Sequence, residues 1–177
     1  MKTGITAILL ICSIALGFAQ NKGEVKRYGF LMDIPKDWQV NKYKDYTEIN
    51  DKNLDITVII REIQAQDKDE ILEIVRKQVY RDVVFYISNK KVDEKMKVAK
   101  GTNKKGLDYL RLYLESDPDE DNQVMIYDAR IFKNKEKVVM ISIEDFAEGL
   151  DPNNELDFLI PKFWDETDKI WSSIQLK

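Results

Sequence analysis

The chain has 177 residues, of which 44% are hydrophobic and 34% charged; that is apolar material for one core and too little for a membrane-embedded protein. A formal net charge of −4 argues against general nucleic-acid binding, which needs surplus positive charge to displace counterions from phosphates. There is no histidine and the single cysteine is Cys12, so Ser-His and Cys-His pairs, an imidazole base and zinc-thiolate sites are all excluded.

The N-terminus reads as a leader. Lys2 supplies a positive start, Ile5 to Leu16 is an apolar run, and Gly17-Phe18-Ala19 offers small residues at both positions a signal peptidase reads. Cleavage is expected after Ala19, giving a signal peptide over residues 1–19 and one domain over residues 20–177. The apolar stretch ending at Ala19 is shorter than the roughly 18–20 residues a membrane span needs. Ile11 before Cys12 is too bulky for a lipoprotein signal. The expected destination is therefore the periplasm or the medium, with no thiol and no integral membrane segment after cleavage.

In the mature chain, Val25 to Ile34 reads as a first strand stopped by Pro35, and Pro35-Lys36-Asp37-Trp38 as a turn. Leu54, Ile56, Val58 and Ile60 alternate with Asp55, Thr57 and Arg61, the pattern of a half-buried strand, while Ile59 hints at burial on both faces. Asp67 and Glu70 form a capping pair ahead of Ile71, Leu72, Val75, Val79 and Val83, which recur at helical spacing. This predicts a helix from about Lys68 to about Tyr86, with an alternative extended reading for Val83 to Ile87. A lysine-rich strand from Lys95 to Ala99 follows, then a turn at Asn103 to Gly106. Strands at Leu107 to Glu115, Val124 to Phe132 and Val138 to Glu144 complete an antiparallel meander with short polar turns. From Asp151-Pro152 onward the chain returns to helix, interrupted at Pro161. Phe30, Trp38, Trp164 and Trp171 are large and apolar, and core packing is the simplest account of them.

Two segments resemble the PsbP-like fold family. Tyr28-Gly29-Phe30-Leu31-Met32-Asp33-Ile34-Pro35-Lys36-Asp37-Trp38-Gln39-Val40 is similar to its opening pattern of aromatic-Gly-Phe, strand, proline, polar step and tryptophan. Phe163-Trp164-Asp165-Glu166-Thr167-Asp168-Lys169-Ile170-Trp171-Ser172-Ser173-Ile174 is similar to its closing helix. The resemblance implies an α+β fold, an antiparallel β-sheet flanked by helices in an α/β/α sandwich, and a non-catalytic accessory or binding role. It carries no catalytic residue over, because the matching positions are structural.

Three constellations bear on chemistry. In the acidic loop 117–122, Asp117, Asp119 and Asp121, with Asp128 further on, superficially follow a calcium-loop spacing. Asn122 stands where the sharp turn wants glycine, however, and a solvated hairpin loop accounts for the same residues. Lys90, Lys91, Lys95, Lys97, Lys100, Lys104 and Lys105 concentrate positive charge, readable as an anion-attracting patch or as lysines protecting an edge strand, and the second is preferred. Glu144 and Asp145 at a strand end are the carboxylates that could carry acid–base work, but nothing in the pattern pairs them. Ser142 lacks a nucleophile-elbow frame. The expectation is a protein that is not an enzyme and binds an envelope protein partner, with no nucleic acid and no obligate cofactor. The alternative is an ion- or small-ligand-binding protein using Ca2+ or another ligand at Asp117, Asp119 and Asp121.

Overall fold

Tyr28 and Gly29 both adopt positive φ, 50° and 82°, and that makes a hairpin of the segment the sequence reads as one strand. Positive φ at both central residues is what a tight hairpin turn needs to match strand twist. β1 (Lys22–Arg27) and β2 (Phe30–Pro35) pair antiparallel, with Arg27 opposite Phe30. The structure, a computed structural model, describes residues 22–52, 56–64, 68–84, 87–117, 123–134, 137–148, 165 and 167–177. A Cβ on Gly29 would lie 2.6 Å from Nδ2 of Asn134. Gly29→Ala is therefore expected to cost about 1–2 kcal/mol in urea denaturation, from the left-handed backbone alone, with the Asn134 contact adding to it.

The remaining strands are β3 (Gln39–Lys42), β4 (Tyr46–Asn50), β5 (Ile56–Ile63), β6 (Lys97–Thr102), β7 (Asp108–Glu115), β8 (Gln123–Asn134), β9 (Lys137–Glu148) and the short β10 (Gln175–Leu176). Seven of them form one antiparallel sheet in the order β3-β4-β5-β9-β8-β7-β6, and β1-β2-β10 form a second. The meander read over residues 95–144 is present, closed onto β5 through β9. The turn at Asn103 to Gly106 is present too: Oδ1 of Asn103 accepts from the amides of Lys105 and Leu107, and Gly106 takes φ 78°.

Two helices lie between β5 and β6. α1 (Lys68–Asp82) ends earlier than the periodicity implies. The Val83 amide still bonds the Val79 carbonyl and the Ile87 amide that of Val83, bonds of helical spacing rather than strand pairing at these two residues, while Phe85 and Tyr86 lie outside the described residues. α2 (Asn89–Lys95) is capped by Ser88. It occupies ground the sequence assigned partly to a strand, which begins at Lys97 instead. With Val92 its one buried residue, α2 has too few apolar positions to display a period. Residues 167–173 form α3, which leads into β10.

Side-chain alternation gives the large sheet two apolar faces. On one, Ile56, Val58, Ile60, Val139, Ile141 and Ile143 pack against Phe30, Met32 and Ile34 of β2 and Ile170, Trp171 and Ile174 of the closing segment. On the other, Leu112, Leu114, Met125, Tyr127, Val138 and Met140 pack against Val75 and Val79 of α1, Val83 just past its end and Val92 of α2. The result is an α+β architecture with antiparallel sheets and, among the described residues, three helices. Phe30 and Trp171 are core residues as expected, and Trp38 packs partly buried at its margin. Trp164, the capping Asp67, the Asp151-Pro152 helix start and the leader lie outside the described residues. No helix among the described residues is long and apolar enough to cross a membrane.

Candidate functional site

Glu144 and Asp145 do not act together, because neighbours on a strand point to opposite faces. Glu144 faces the helices, in a row between Thr57 of β5 and Tyr127 of β8. There it meets a group that no local pattern links to it. Asp82, at the end of α1, accepts hydrogen bonds from Arg61 (3.0 and 3.2 Å), Gln78 (2.8 Å) and the Tyr127 hydroxyl (2.8 Å). Burial first, then the charge of Asp82, push the Glu144 carboxyl up to about 8, against the pull of Arg61 and with a further push from Glu48. One Glu144 oxygen and the hydroxyl of fully buried Ser142 have no hydrogen-bond partner among the described residues. The raised carboxyl thus comes from burial beside a satisfied ion pair, and Asp82 is already committed to three donors.

The opposite face holds a second charged group. Asp128 is fully buried and receives Nε of Arg111 at 2.8 Å and Nη2 at 3.1 Å, with Nη2 of Arg130 at 3.6 Å. Arg130 also lies over the rings of Trp171 (4.2 Å) and Tyr109 (4.7 Å). This corrects the calcium-type spacing at its far end: Asp128 sits within β8 and turns inward, locked by two guanidinium groups. Asp117, by contrast, is exposed and bridges Lys91 and Lys95, and these two lysines hold its carboxyl below the usual range. Asp119 and Asp121 lie outside the described residues, and no group of three or more potential metal ligands occurs among the described ones.

The lysine concentration is divided by the fold. Lys90 pairs with Glu94, Lys91 and Lys95 with Asp117, and Lys104 with Asp168. Lys97 and Lys100 are exposed on β6, an outer strand of the large sheet, where lysines hinder self-pairing.

The other outer strand, β3, is built differently. Val40 is 36% exposed and Tyr43, just beyond it, 46%. Tyr43 stacks on Tyr46 at 4.5 Å between ring centroids. The turn between them is held from below, since Nη2 of Arg27 donates to the carbonyls of Tyr43 and Lys44, and the Tyr28 hydroxyl donates to that of Asp45. The exposed ring is therefore presented on a fixed backbone. Sequence reading missed this corner because β3 and β4 are short and half polar; the Tyr43-Tyr46 spacing was its visible trace.

An antiparallel sheet with helices on one face and a small sheet plus a closing helix on the other defines the α+β fold of the Mog1/PsbP-like type. Among solved structures with this arrangement is the Ran-binding protein Mog1p of Saccharomyces cerevisiae. It is 11% identical to this chain with a TM-score of 0.55, covering 89% of this chain and 96% of the yeast one. A point mutant of Mog1 aligns similarly, with 11% identity, a TM-score of 0.53 and 88% and 96% coverage. LpqN of Mycobacterium tuberculosis, described as involved in cell envelope biogenesis, is 12% identical with a TM-score of 0.45, covering 88% and 90%. No family model and no curated protein sequence matches the chain.

Proposed function

We propose that this protein is an exported, non-catalytic binding module that recognises another protein of the envelope through the β3 edge. The observation that carries the reading is the Val40–Tyr43 corner: exposed Val40 on an outer strand and exposed Tyr43 just beyond it, with the backbone of the turn held by Arg27 and Tyr28. A fixed aromatic loses little conformational freedom on binding, which is what gives such residues weight at interfaces. Mog1p, a protein of the same fold, is a Ran-binding protein by name, so this architecture can serve protein recognition; the partner of this chain need bear no relation to Ran. The non-catalytic part rests on chemistry. The chain has no imidazole, its one thiol is in the expected leader, and among the described residues the carboxylates of Asp82 and Asp128 are held by arginines while Glu144 is buried beside Asp82.

The test has two parts. Protein recovered from its native host should begin at Gln20. Cross-linking in envelope extract should then capture one partner in stoichiometric amount with the wild-type chain, and at least about tenfold less with a Val40→Lys, Tyr43→Ser variant of unchanged melting temperature. Equal capture by both chains would remove the β3 edge as the recognition surface. Retention of residues 1–19 would remove export by cleavage.

A further inference from the structure

At the far side of the large sheet from β3, a cleft of about 480 Å³ opens between the start of α1 and the ends of β6, β7, β8 and β9. From this cleft we infer a binding site for a single-chain amphiphile with an anionic head, a free fatty-acid carboxylate. The register explains why the cleft has an apolar floor. Leu110 stands opposite Ile131, while Val138 stands opposite Lys133 in the next row. All three apolar side chains emerge on the helix side of the sheet, and Ile71 of α1 closes the space from above. Floor and wall thus come from four separate elements, and these four side chains carry no hydrogen-bonding group, which suits an alkyl chain and would leave a polar group at the floor without a side-chain partner there.

The rim supplies the charge. Lys100 stands opposite Leu110, and Lys133 opposite Val138, so a lysine borders the floor on each side. Neither has a carboxylate within ion-pair distance among the described residues, whereas Lys91, Lys95, Lys104 and Lys137 each do. Asp108 also lines the rim, but its carboxylate accepts the hydroxyl of Thr102 at 2.7 Å. Among the described lining residues, two ammonium groups against one carboxylate leave a net positive rim over an apolar floor. The volume lies within the range of about 300–1,000 Å³ typical of small-molecule sites. The complement in shape and charge is an alkyl chain ending in an anion. This site and the Val40–Tyr43 corner lie at opposite ends of the strand order, so either can fail without the other.

The test is calorimetric titration of the full folded protein with dodecanoate below its micelle concentration. Saturable one-to-one binding is expected, at least about tenfold weaker for dodecanol, which lacks the charge, and undetectable for acetate or inorganic phosphate, which lack the chain. Lys100→Glu with Lys133→Glu should weaken dodecanoate binding at least about tenfold while leaving the melting temperature unchanged. Ile71→Trp, which fills the cleft, should abolish it; should that variant fold poorly, the lysine pair decides alone. The inference is overturned by no saturable binding of dodecanoate, by equal binding to the lysine variant, by dodecanol binding as tightly, or by association only with anionic lipid vesicles.

Discussion

Asp128→Ala is expected to destabilise the fold by about 3–5 kcal/mol, the range for stripping one partner from a buried ion pair. Asp128 is 0% exposed and is the carboxylate to which both Arg111 and Arg130 turn. Without it, two guanidinium groups face each other on a surface covered by Trp171. The strain would fall mainly on Arg130, whose pKa burial already pulls down while Asp128 props it up. The stacking on Trp171 and Tyr109 cannot stand in for the lost carboxylate, since cation–π contacts are worth about 0.5–2 kcal/mol. The variants should rank in order. Asp128→Asn keeps one acceptor and should lose less than the alanine. Arg111→Ala should lose least, because the Arg111 side chain is already 30% exposed and Arg130 still faces Asp128. Urea denaturation of the three variants measures this, and a loss below about 1 kcal/mol for Asp128→Ala would show that the pair contributes little.

Glu144→Gln is expected to stabilise the protein at alkaline pH and do nothing in acid. The folded carboxyl titrates at about 8 and the ordinary value is 4.5, so between those limits the folded state holds a proton that the unfolded chain has released. Stability must then fall as pH rises through that window, and level off above it. Below about 4.5 both states are protonated and the group contributes nothing. Burial first sets the sign, and the groups around the carboxyl adjust it: Asp82 from α1 and Glu48 from β4 oppose its ionisation, Arg61 from β5 favours it, and Tyr127 from β8 stays a neutral donor because burial and Asp82 raise its own pKa. The expected gap between the Glu144→Gln variant and the wild type grows from zero near pH 4.5 to roughly 4 kcal/mol at pH 8, then levels off. Urea denaturation at a series of pH values reads it directly. A gap independent of pH would mean that the substitution acts through packing. A wild type that gains on the variant as pH rises past 4.5 would mean that the fold favours the ionised carboxylate, reversing the sign argued here.

Strong periodicity was legible and weak periodicity was not. The alternations in β5 and β7, the doubly buried runs of β8 and β9 and the apolar stripe of α1 each carry enough buried side chains to declare the element. By contrast, β3 with burial at no position and α2 with burial at Val92 alone are ordered by what they join and cap. The hairpin at Tyr28-Gly29 was hidden for another reason: β1 has the sequence KGEVKR, with Val25 its one buried hydrophobic residue among those described, so it does not stand out as a strand of its own, and the positive φ of the turn shows only in the backbone. At the candidate sites, Glu144 was visible as a carboxylate in an apolar setting, but its partner Asp82 lies in another element and another stretch of sequence. Asp128 was counted with the loop aspartates because spacing along a strand does not say which face a side chain takes once pairing is unknown.

The sequence by itself determined the class of chemistry open to this protein. Residue identity excludes an imidazole and confines the one thiol to Cys12, and no folding can alter that. It also determined the central strands and the main helix, because their periods are local. Which charges meet was decided only by the tertiary structure: Glu144 with Asp82, Asp128 with Arg111 and Arg130, Asp117 with Lys91 and Lys95. So was the division of the lysines, with Lys90, Lys91, Lys95 and Lys104 paired to carboxylates and Lys100 and Lys133 left bordering a cleft. Electrostatic coupling falls with distance in space, and strand register and helix docking, which set that distance, are properties of the assembled chain.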